Sequence, residues 1–229
     1  SSWIDYVNPQ VYFPFYYKAA PYEKLVDWWS NNAFNRHVYI GLAAYRAAEQ
    51  KGGWRDKQQI PNQIRYLRNN AHVQGSVFFS SKSIARNLAG VMDSLQQNFY
   101  RYPALPPTMP WLDNISPNAP QKLEVRMVVT DSESSEREAV PHLTWQSPTK
   151  ALDNETAYGY VVYRFDEDSE IDINEPRHIL KILFDADEAS FVDHTALLNR
   201  KYQYVVTAID RLKNESEHSN VVRIKTRKR

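Results

Sequence analysis

A run of prolines separates two parts of the sequence that differ in hydrophobic pattern. Six prolines fall between residues 103 and 120. Because proline fixes φ and lacks a backbone N–H, this run is excluded from helix interiors and central strands. Strand and helix patterns alternate before it, whereas only strand patterns follow it. The sequence therefore predicts a proline-rich linker over residues 103–121, which joins a domain at 1–102 to a domain at 122–229.

The first domain contains three short apolar runs, each followed by a helical pattern. The runs at residues 5–13, 37–42 and 73–79 are rich in β-forming side chains and predict strands. The third helical pattern predicts one helix with an apolar face from Ile84 to Phe99. This β-α-β-α-β-α order calls for a parallel sheet that is buried on both faces. Three such units are either a small open sheet or the last part of a closed (β/α)8 barrel, which needs about 250 residues.

The second domain shows strand patterns alone. Seven candidate strands cover residues 123–129, 142–145, 157–165, 178–184, 190–193, 202–209 and 220–225. Short strands at this spacing are typical of a β-sandwich. Trp145 falls on the second of them and is predicted to anchor the core. Because the chain has no cysteine, the domain is not a disulfide-bridged immunoglobulin domain.

Several motifs of this second domain resemble those of fibronectin type III domains. They are Leu-Thr-Trp at 143–145, Gly-Tyr-Val-Val-Tyr-Arg at 159–164, Phe-Val-Asp at 191–193, Tyr-Gln-Tyr-Val-Val-Thr-Ala-Ile-Asp at 202–210 and Asn-Glu-Ser-Glu-His-Ser at 214–219. The resemblance covers residues 119–229. It implies that Tyr202 is a buried corner tyrosine and that Leu197 is the core leucine before it. The resemblance implies little about function, because this kind of sandwich occurs in proteins with many unrelated functions.

Composition and charge exclude several classes of function. The chain has 28 basic and 27 acidic residues, so neither a nucleic-acid binder nor a polybasic membrane anchor is expected. The absence of cysteine excludes thiolate metal sites and cysteine nucleophiles. The six histidines lack metal-ligand spacing and no glycine-rich phosphate loop is present, so the sequence predicts no metal and no cofactor. No apolar run is long enough for a membrane-spanning helix, and no signal peptide opens the chain.

The first domain and the linker together resemble one bacterial family. The matching motifs are Trp-Ile-Asp-Tyr-Val-Asn-Pro-Gln-Val-Tyr-Phe at 3–13, Leu-Val-Asp-Trp-Trp at 25–29, Val-Tyr-Ile-Gly at 38–41, Gln-Ile at 63–64, Gly-Ser-Val-Phe-Phe-Ser at 75–80 and Pro-Ala-Leu-Pro-Pro-Thr-Met-Pro-Trp at 103–111. They are similar to glycosyl-hydrolase-like family ten, a TIM-barrel group of carbohydrate-active enzymes in which a sandwich often follows the barrel. The resemblance implies that residues 1–118 are the last three βα units of such a barrel. It also implies a carbohydrate substrate and a C-terminal fragment of an extracytoplasmic protein.

In a TIM barrel the active site lies at the carboxyl ends of the strands. Alternation along the first strand places Asn8, Gln10 and Tyr12 on one face. Amides form hydrogen bonds with sugar hydroxyls, and aromatic rings stack on sugar C–H surfaces. We therefore predict that Asn8, Gln10, Tyr12, Tyr45 and Ser80 bind the substrate. The alternative is that the amides satisfy neighbouring backbone groups.

The same strand ends carry Gly41, Phe79 and Ser81 but offer no pair of carboxylates. Glycoside hydrolysis normally needs two carboxylates, and Glu49 alone is expected near these ends. We therefore expect the catalytic residues to lie upstream of residue 1, so that the parent protein is a glycoside hydrolase and this chain alone is inactive. The rival hypothesis is a non-catalytic module that binds carbohydrate or protein. The exposed edges of a partial sheet also favour self-association.

Overall fold

The computed structural model describes residues 3–131 and 137–227. They form two compact units, residues 1–101 and 102–229, and each unit has its own hydrophobic core. Among the described residues, no helix is both long and apolar enough to cross a bilayer.

The first unit contains a three-stranded parallel sheet. Its first elements, in chain order, are β1 (Tyr6–Val7), α1 (Tyr22–Asn31), β2 (His37–Leu42), α2 (Gln59–Arg68) and β3 (Gly75–Phe78). Two 3₁₀ turns, Ala44–Arg46 and Gly52–Arg55, lie between β2 and α2. The strands pair in the order β1-β2-β3, so the alternation of strand and helix follows the predicted order.

The helices cover one face of this sheet and leave the other face open. Ile40 and Leu42 of β2 are fully buried in one core with side chains from all the helical segments of the unit. On the opposite face of the outer strands, Tyr6, Val77 and Phe79 are 56%, 43% and 55% exposed. The expectation of two buried faces is therefore wrong for the outer strands, because every helical connection packs on the same side. We call the uncovered side the open face.

The third helical segment is broken where the sequence predicts one helix. It consists of α3 (Ser81–Ala85), a 3₁₀ turn at Leu88–Gly90, α4 (Val91–Ser94) and a π-helical turn at Leu95–Phe99. The break occurs because Asn87, Ala89 and Gly90 have φ angles of 48°, 52° and 74°, outside the right-handed helical region. The apolar positions after the break are nonetheless buried, as their spacing predicts: Val91, Leu95 and Phe99.

The first strand is shorter than the predicted run at residues 5–13. Regular pairing with β2 stops after Val7, because Pro9 has no backbone N–H to donate. The chain nevertheless stays beside β2, since the Gly41 N–H donates to the Pro9 carbonyl at 2.9 Å and the Val11 N–H donates to the Gly41 carbonyl at 3.1 Å. Val11 is buried and Gln10 is exposed, so the predicted alternation of faces continues beyond the strand.

The second unit is a β-sandwich, and each of the seven predicted strands is present. They are β4 (Gln121–Asp131), β5 (Arg137–Gln146), β6 (Gly159–Asp166), β7 (Ile179–Leu183), β8 (Ser190–Val192), β9 (Lys201–Ile209) and β10 (Val222–Lys225), with a 3₁₀ turn at Pro176–His178. They form two antiparallel sheets, β4-β5-β8 and β10-β9-β6-β7. Side chains from both sheets meet in one core. Trp145 belongs to it at 6% exposure, as the sequence predicts.

The proline-rich segment packs on the sandwich residues of the second unit. Leu105 joins an apolar cluster that includes Ile171 and Ile173. The Asn214 side-chain amide donates to the Asp113 carbonyl at 3.3 Å. The segment is therefore positioned by apolar contact and hydrogen bonding within its own unit.

Tyr202 closes one corner of the sandwich. Its ring is 5% exposed, and its hydroxyl accepts a hydrogen bond from the Leu197 N–H at 3.2 Å. This is the geometry expected of a corner tyrosine. The prediction that Leu197 is a core residue is wrong: its backbone takes part in the corner, while its side chain points outward and is 64% exposed.

A buried carboxylate ties the two sheets of the sandwich together. Asp193, just after β8, is fully buried. One of its oxygens accepts hydrogen bonds from Arg164 and Tyr204, both at 2.8 Å, and the other accepts from the backbone and hydroxyl of Thr195. Burial by itself would raise the pKa of the Asp193 carboxyl. The hydrogen bonds from Thr195 and the charge of Arg164 outweigh burial and lower that pKa below its ordinary value.

Asp193→Asn should lower the free energy of unfolding of the sandwich by about 3 kcal/mol, because Arg164 loses its charged partner. Since the folded-state pKa of Asp193 is lowered, its contribution is complete above the unfolded-state pKa of about 3.9 and is lost as the pH falls through the folded-state value. Urea unfolding should therefore show that the free energy of unfolding falls between neutral and acidic pH, and that it falls less in the variant than in the wild-type protein. Asp168→Asn, at an exposed position, should keep the wild-type profile; matching profiles for the two variants would contradict this account.

Candidate functional site

Three aromatic side chains meet at the carboxyl ends of the parallel strands. Tyr12 follows β1, Tyr45 follows β2 and Phe79 follows β3. The rings of Tyr12 and Phe79 are stacked with centroids 6.0 Å apart, and Tyr45 packs edge-on against both at 6.1 and 6.0 Å. Tyr45 and Phe79 are 44% and 55% exposed, so this aromatic trio presents ring surface to solvent.

Polar groups without protein partners lie beside the aromatic trio. Asn8 and Gln10 are exposed on the same strand face as Tyr12. Within the described parts of the chain, no hydrogen bond engages the side chains of Asn8, Gln10 or Ser80, or the hydroxyls of Tyr12 and Tyr45. Burial, and then the neighbouring Tyr45 hydroxyl, raise the pKa of Tyr12. The strand ends therefore offer amides and neutral hydroxyls that are free to bind a ligand.

Gly41 allows the chain that carries the two amides to approach β2 closely. A Cβ atom at position 41 would lie 3.1 Å from the Pro9 carbonyl oxygen and 3.4 Å from Oδ1 of Asn8. Gln10 pairs with Gly41 across the two strands. The absence of a side chain at position 41 thus places both amides beside the end of β2.

Arg46 fixes the backbone of the first aromatic residue. Its Nε and Nη2 donate to the two oxygens of Glu49 at 3.0 and 2.9 Å, and its Nη1 donates to the Tyr12 carbonyl at 3.3 Å. The guanidinium also lies 5.0 Å from the ring centroid of the buried Trp54. The hydrogen bond with Glu49 is the main cause that raises the pKa of Arg46. Glu49, the carboxylate expected near the strand ends, is therefore neutralised in an ion pair.

Two glutamines of α2 support the aromatic loop after the first strand. Gln63 is fully buried, and its amide donates to the Phe13 carbonyl at 2.9 Å. With its amide oriented to satisfy its neighbours, Gln59 accepts a hydrogen bond from the Phe15 N–H at 2.9 Å. The Phe13 ring stacks on Tyr17 with centroids 5.7 Å apart. The loop is thus attached to the helical side of the unit through its backbone.

The described carboxylates of the first unit do not form a pair at the strand ends. Asp27, Asp56 and Asp93 accept hydrogen bonds from residues of the helical connections at 2.5, 2.8 and 2.8 Å. Glu49 is paired with Arg46. The geometry can bind a ligand by stacking and hydrogen bonding, and these residues supply no acid and base on either side of a scissile bond.

The second unit brings together three carboxylates that no sequence motif relates to one another. Ligand oxygens of Asp113, Asp153 and Glu155 lie within 4.8 Å of one another. Asp113 accepts a hydrogen bond from the Ile115 N–H and Asp153 accepts one from the Glu155 N–H, both at 2.9 Å. These two carboxylates cap local turns, and we assign no metal to the cluster.

The structure places all five predicted binding residues at one end of the sheet. It brings Tyr12 and Tyr45 into contact, while Asn8, Gln10 and Ser80 flank them without touching each other through hydrogen bonds in the described residues. The sequence analysis placed Phe79 at these strand ends without including it among the binding residues, and it missed Arg46. The i,i+3 spacing of Arg46 and Glu49 is the signal that could have found their ion pair.

Comparison with known proteins relates the chain to a glycosyl hydrolase. It is 39% identical over 220 residues to the protein named glycosyl hydrolase YngK of Bacillus subtilis (strain 168). The chain is a homologue of that protein. The match covers 94% of this chain and 40% of YngK, so the chain spans less than half the length of this relative.

Other comparisons give shorter or more distant matches. Over 48 residues the chain is 40% identical to glycosyl hydrolase DigH of Escherichia coli (strain K12), which covers 20% of this chain and 11% of DigH. An Fn3-like protein from Clostridium thermocellum is similar in structure with a TM-score of 0.34 and 18% identity, over 49% of this chain and 95% of that one. No family model matches the chain.

Arg46→Met should destabilise the first unit by about 1–2 kcal/mol, because it removes the ion pair with Glu49, the hydrogen bond to Tyr12 and the aromatic contact. Urea unfolding followed by tryptophan fluorescence measures this loss. Arg55→Met is the matched control, since Arg55 is exposed and donates one hydrogen bond to the Gln50 carbonyl at 2.8 Å. Equal losses in the two variants would show that Arg46 has no special role.

Proposed function

We propose that the strand ends of the first unit bind a carbohydrate, as part of a glycoside hydrolase whose catalytic carboxylates lie outside this chain. The observation that carries the proposal is the exposed aromatic trio with unpaired amides and hydroxyls beside it. Homology with a protein named glycosyl hydrolase supports the same class of substrate.

The chemistry of these groups fits a sugar ring. An exposed aromatic face packs against the C–H surface of a pyranose, and the aromatic trio offers such a face. The side chains of Asn8, Gln10 and Ser80 both donate and accept hydrogen bonds, as sugar hydroxyls do. The charges of Arg46 and Glu49 beside the trio are paired with each other.

The first unit would be the last three βα units of a TIM barrel of glycosyl-hydrolase-like family ten. In a barrel the helices form an outer ring, and the inner faces of the strands are packed together. A sheet with all its helices on one side and Tyr6 and Val77 exposed on the other fits a segment of such a barrel. The greater length of the Bacillus subtilis relative leaves room for the remaining units. In this proposal the parent protein is extracytoplasmic, and the sandwich follows its barrel.

The edges of the first sheet would pair with those remaining units. Each of β1 and β3 is hydrogen-bonded to β2 on one side. Unpaired strand edges attract other strands, so we propose that the chain by itself associates with a second copy through them.

A non-catalytic carbohydrate-binding module is the second candidate. It is favoured by the absence of a carboxylate pair at the strand ends among the described residues of the first unit. An upstream sequence without Asp or Glu at the ends of the preceding strands would leave binding as the function.

The chain alone should bind a linear oligosaccharide and leave it uncleaved. Phe79→Ala should weaken binding about tenfold, because a stacked aromatic contact contributes about 1 kcal/mol or more. A titration followed by tryptophan fluorescence gives the affinity. Phe34→Ala is the matched control, since Phe34 is 75% exposed in the loop between α1 and β2, at the opposite end of the strands.

Two results would contradict different parts of the proposal. Cleavage of the oligosaccharide by the chain alone would show that catalytic carboxylates lie within it. No binding by the wild-type chain, or equal binding by Phe79→Ala and Phe34→Ala, would remove the aromatic trio from the binding surface. Product analysis detects the first result and the titration detects the second.

A further inference from the structure

A polar cleft lies at the end of the first unit opposite the aromatic trio. It has a volume of about 470 Å³, within the range of about 300–1,000 Å³ that is common for ligand clefts. Its walls come from the last turn of α1 and from the end of α2 with the residues after it. Because α1 leads into β2 and α2 leads into β3, this end of both helices lies at the amino ends of the strands.

A fixed carboxylate and a hydrogen-bonded pair line this cleft. The Tyr66 hydroxyl donates to Oδ1 of Asp27 at 2.5 Å. Among the described residues, no hydrogen bond or ion pair engages Oδ2 of Asp27. The hydroxyl of Ser30, 6% exposed, donates to Oδ1 of Asn70 at 2.8 Å, and the same oxygen accepts the His72 N–H at 3.1 Å. The cleft thus contains one oriented carboxylate oxygen that is available to a ligand.

The Asp27 carboxylate is the acidic side chain among the residues that line the cleft. The carboxyl ends of two helices each contribute about half a negative charge, and the Asp27 carboxylate adds to them. α1 has no basic residue in its last turn. Arg65 and Arg68 lie in the last turn of α2, but both guanidinium groups lie over the Phe99 ring and do not line the cleft. No lysine or arginine side chain lines the cleft.

Tyr66 keeps its proton and remains a neutral donor to Asp27. Burial, followed by the hydrogen bond with Asp27, raises the pKa of Tyr66 to about 12. The exposed amides of Asn31 and Asn69 also line the cleft. Amides pair with hydroxyl groups, whereas a carboxylate beside the carboxyl ends of two helices attracts a cation.

We propose that this cleft binds a small hydroxylated amine through its ammonium group. The ammonium would donate to Oδ2 of Asp27, and the ligand hydroxyls would bond with the amides of Asn31 and Asn69. The site is separate from the aromatic trio and does not depend on the function proposed for it.

Isothermal titration of the chain with D-glucosamine tests this proposal, with D-glucose as a ligand that differs by the absence of the ammonium group. Glucosamine should bind saturably, and glucose should bind at least about tenfold more weakly, or about 1.4 kcal/mol. Asp27→Asn should also bind glucosamine at least about tenfold more weakly than the wild-type chain does. The reason is that the variant keeps the acceptor for Tyr66 and removes the charge. Asp93→Asn is the matched control, since Asp93 is an exposed carboxylate of the same unit that also accepts one side-chain hydrogen bond.

Three results would overturn the proposal. They are no saturable binding of glucosamine, glucose binding as tight as glucosamine, and equal glucosamine affinity in Asp27→Asn and Asp93→Asn. Displacement by potassium chloride beyond the effect of an equal ionic strength of tetramethylammonium chloride would assign the cleft to an inorganic cation instead. If Asp27→Asn unfolds, Asn69→Leu replaces it: this exposed change should weaken glucosamine binding, and unchanged binding would also count against the site.

Discussion

The first unit depends on one constraint, which is that helices cover only one face of its parallel sheet. The helical connections all pack against the side of Ile40 and Leu42, so the other side shows aromatic and aliphatic side chains to solvent. Parallel sheets of α/β proteins are covered on both faces. We propose that further protein packs against this apolar open face.

The candidate binding residues lie along the rim of this open face. The contacts that position them come from within the first unit: Gly41 permits the close approach of the first strand segment, Arg46 bonds the Tyr12 backbone, and Gln63 bonds the Phe13 backbone. The proposed binding surface is therefore held in place by contacts within the first unit. The described residues of this surface include no pair of carboxylates, so we propose that catalysis belongs to another part of a longer protein.

Local periodicity was enough to predict the strands. It failed where the structure depends on an unusual backbone conformation or on contacts between distant segments. The spacing of seven short strand patterns predicted the sandwich, because each pattern depends on residues that are near neighbours in the sequence. The spacing of Val91, Leu95 and Phe99 predicted their burial but not the break before them, which follows from the left-handed conformations at positions 87–90.

In the candidate site, too, local patterns predict some features, while other features depend on segments that are distant in the sequence. Alternation places Asn8, Gln10 and Tyr12 on one face, because Val11 must be buried. The meeting of Tyr12, Tyr45 and Phe79 depends on three segments that are far apart in the sequence. Leu197 was assigned to the core by analogy with a motif, and the turn that contains it directs the side chain outward instead. The cleft at Asp27 has no sequence signal, since it arises where two helices end side by side.

The solvent access of the open face tests the central claim most directly. The chain has no cysteine, so Val77→Cys introduces a single thiol on this face and Lys24→Cys introduces one on the exposed side of α1. In the 229-residue chain, at concentrations where it is monomeric, both thiols should react rapidly with a maleimide. In a chain extended upstream to the length of the Bacillus subtilis relative, the account predicts that the thiol at position 77 is protected while that at position 24 keeps its rate. Equal reactivity at position 77 in the short and extended chains would contradict the account.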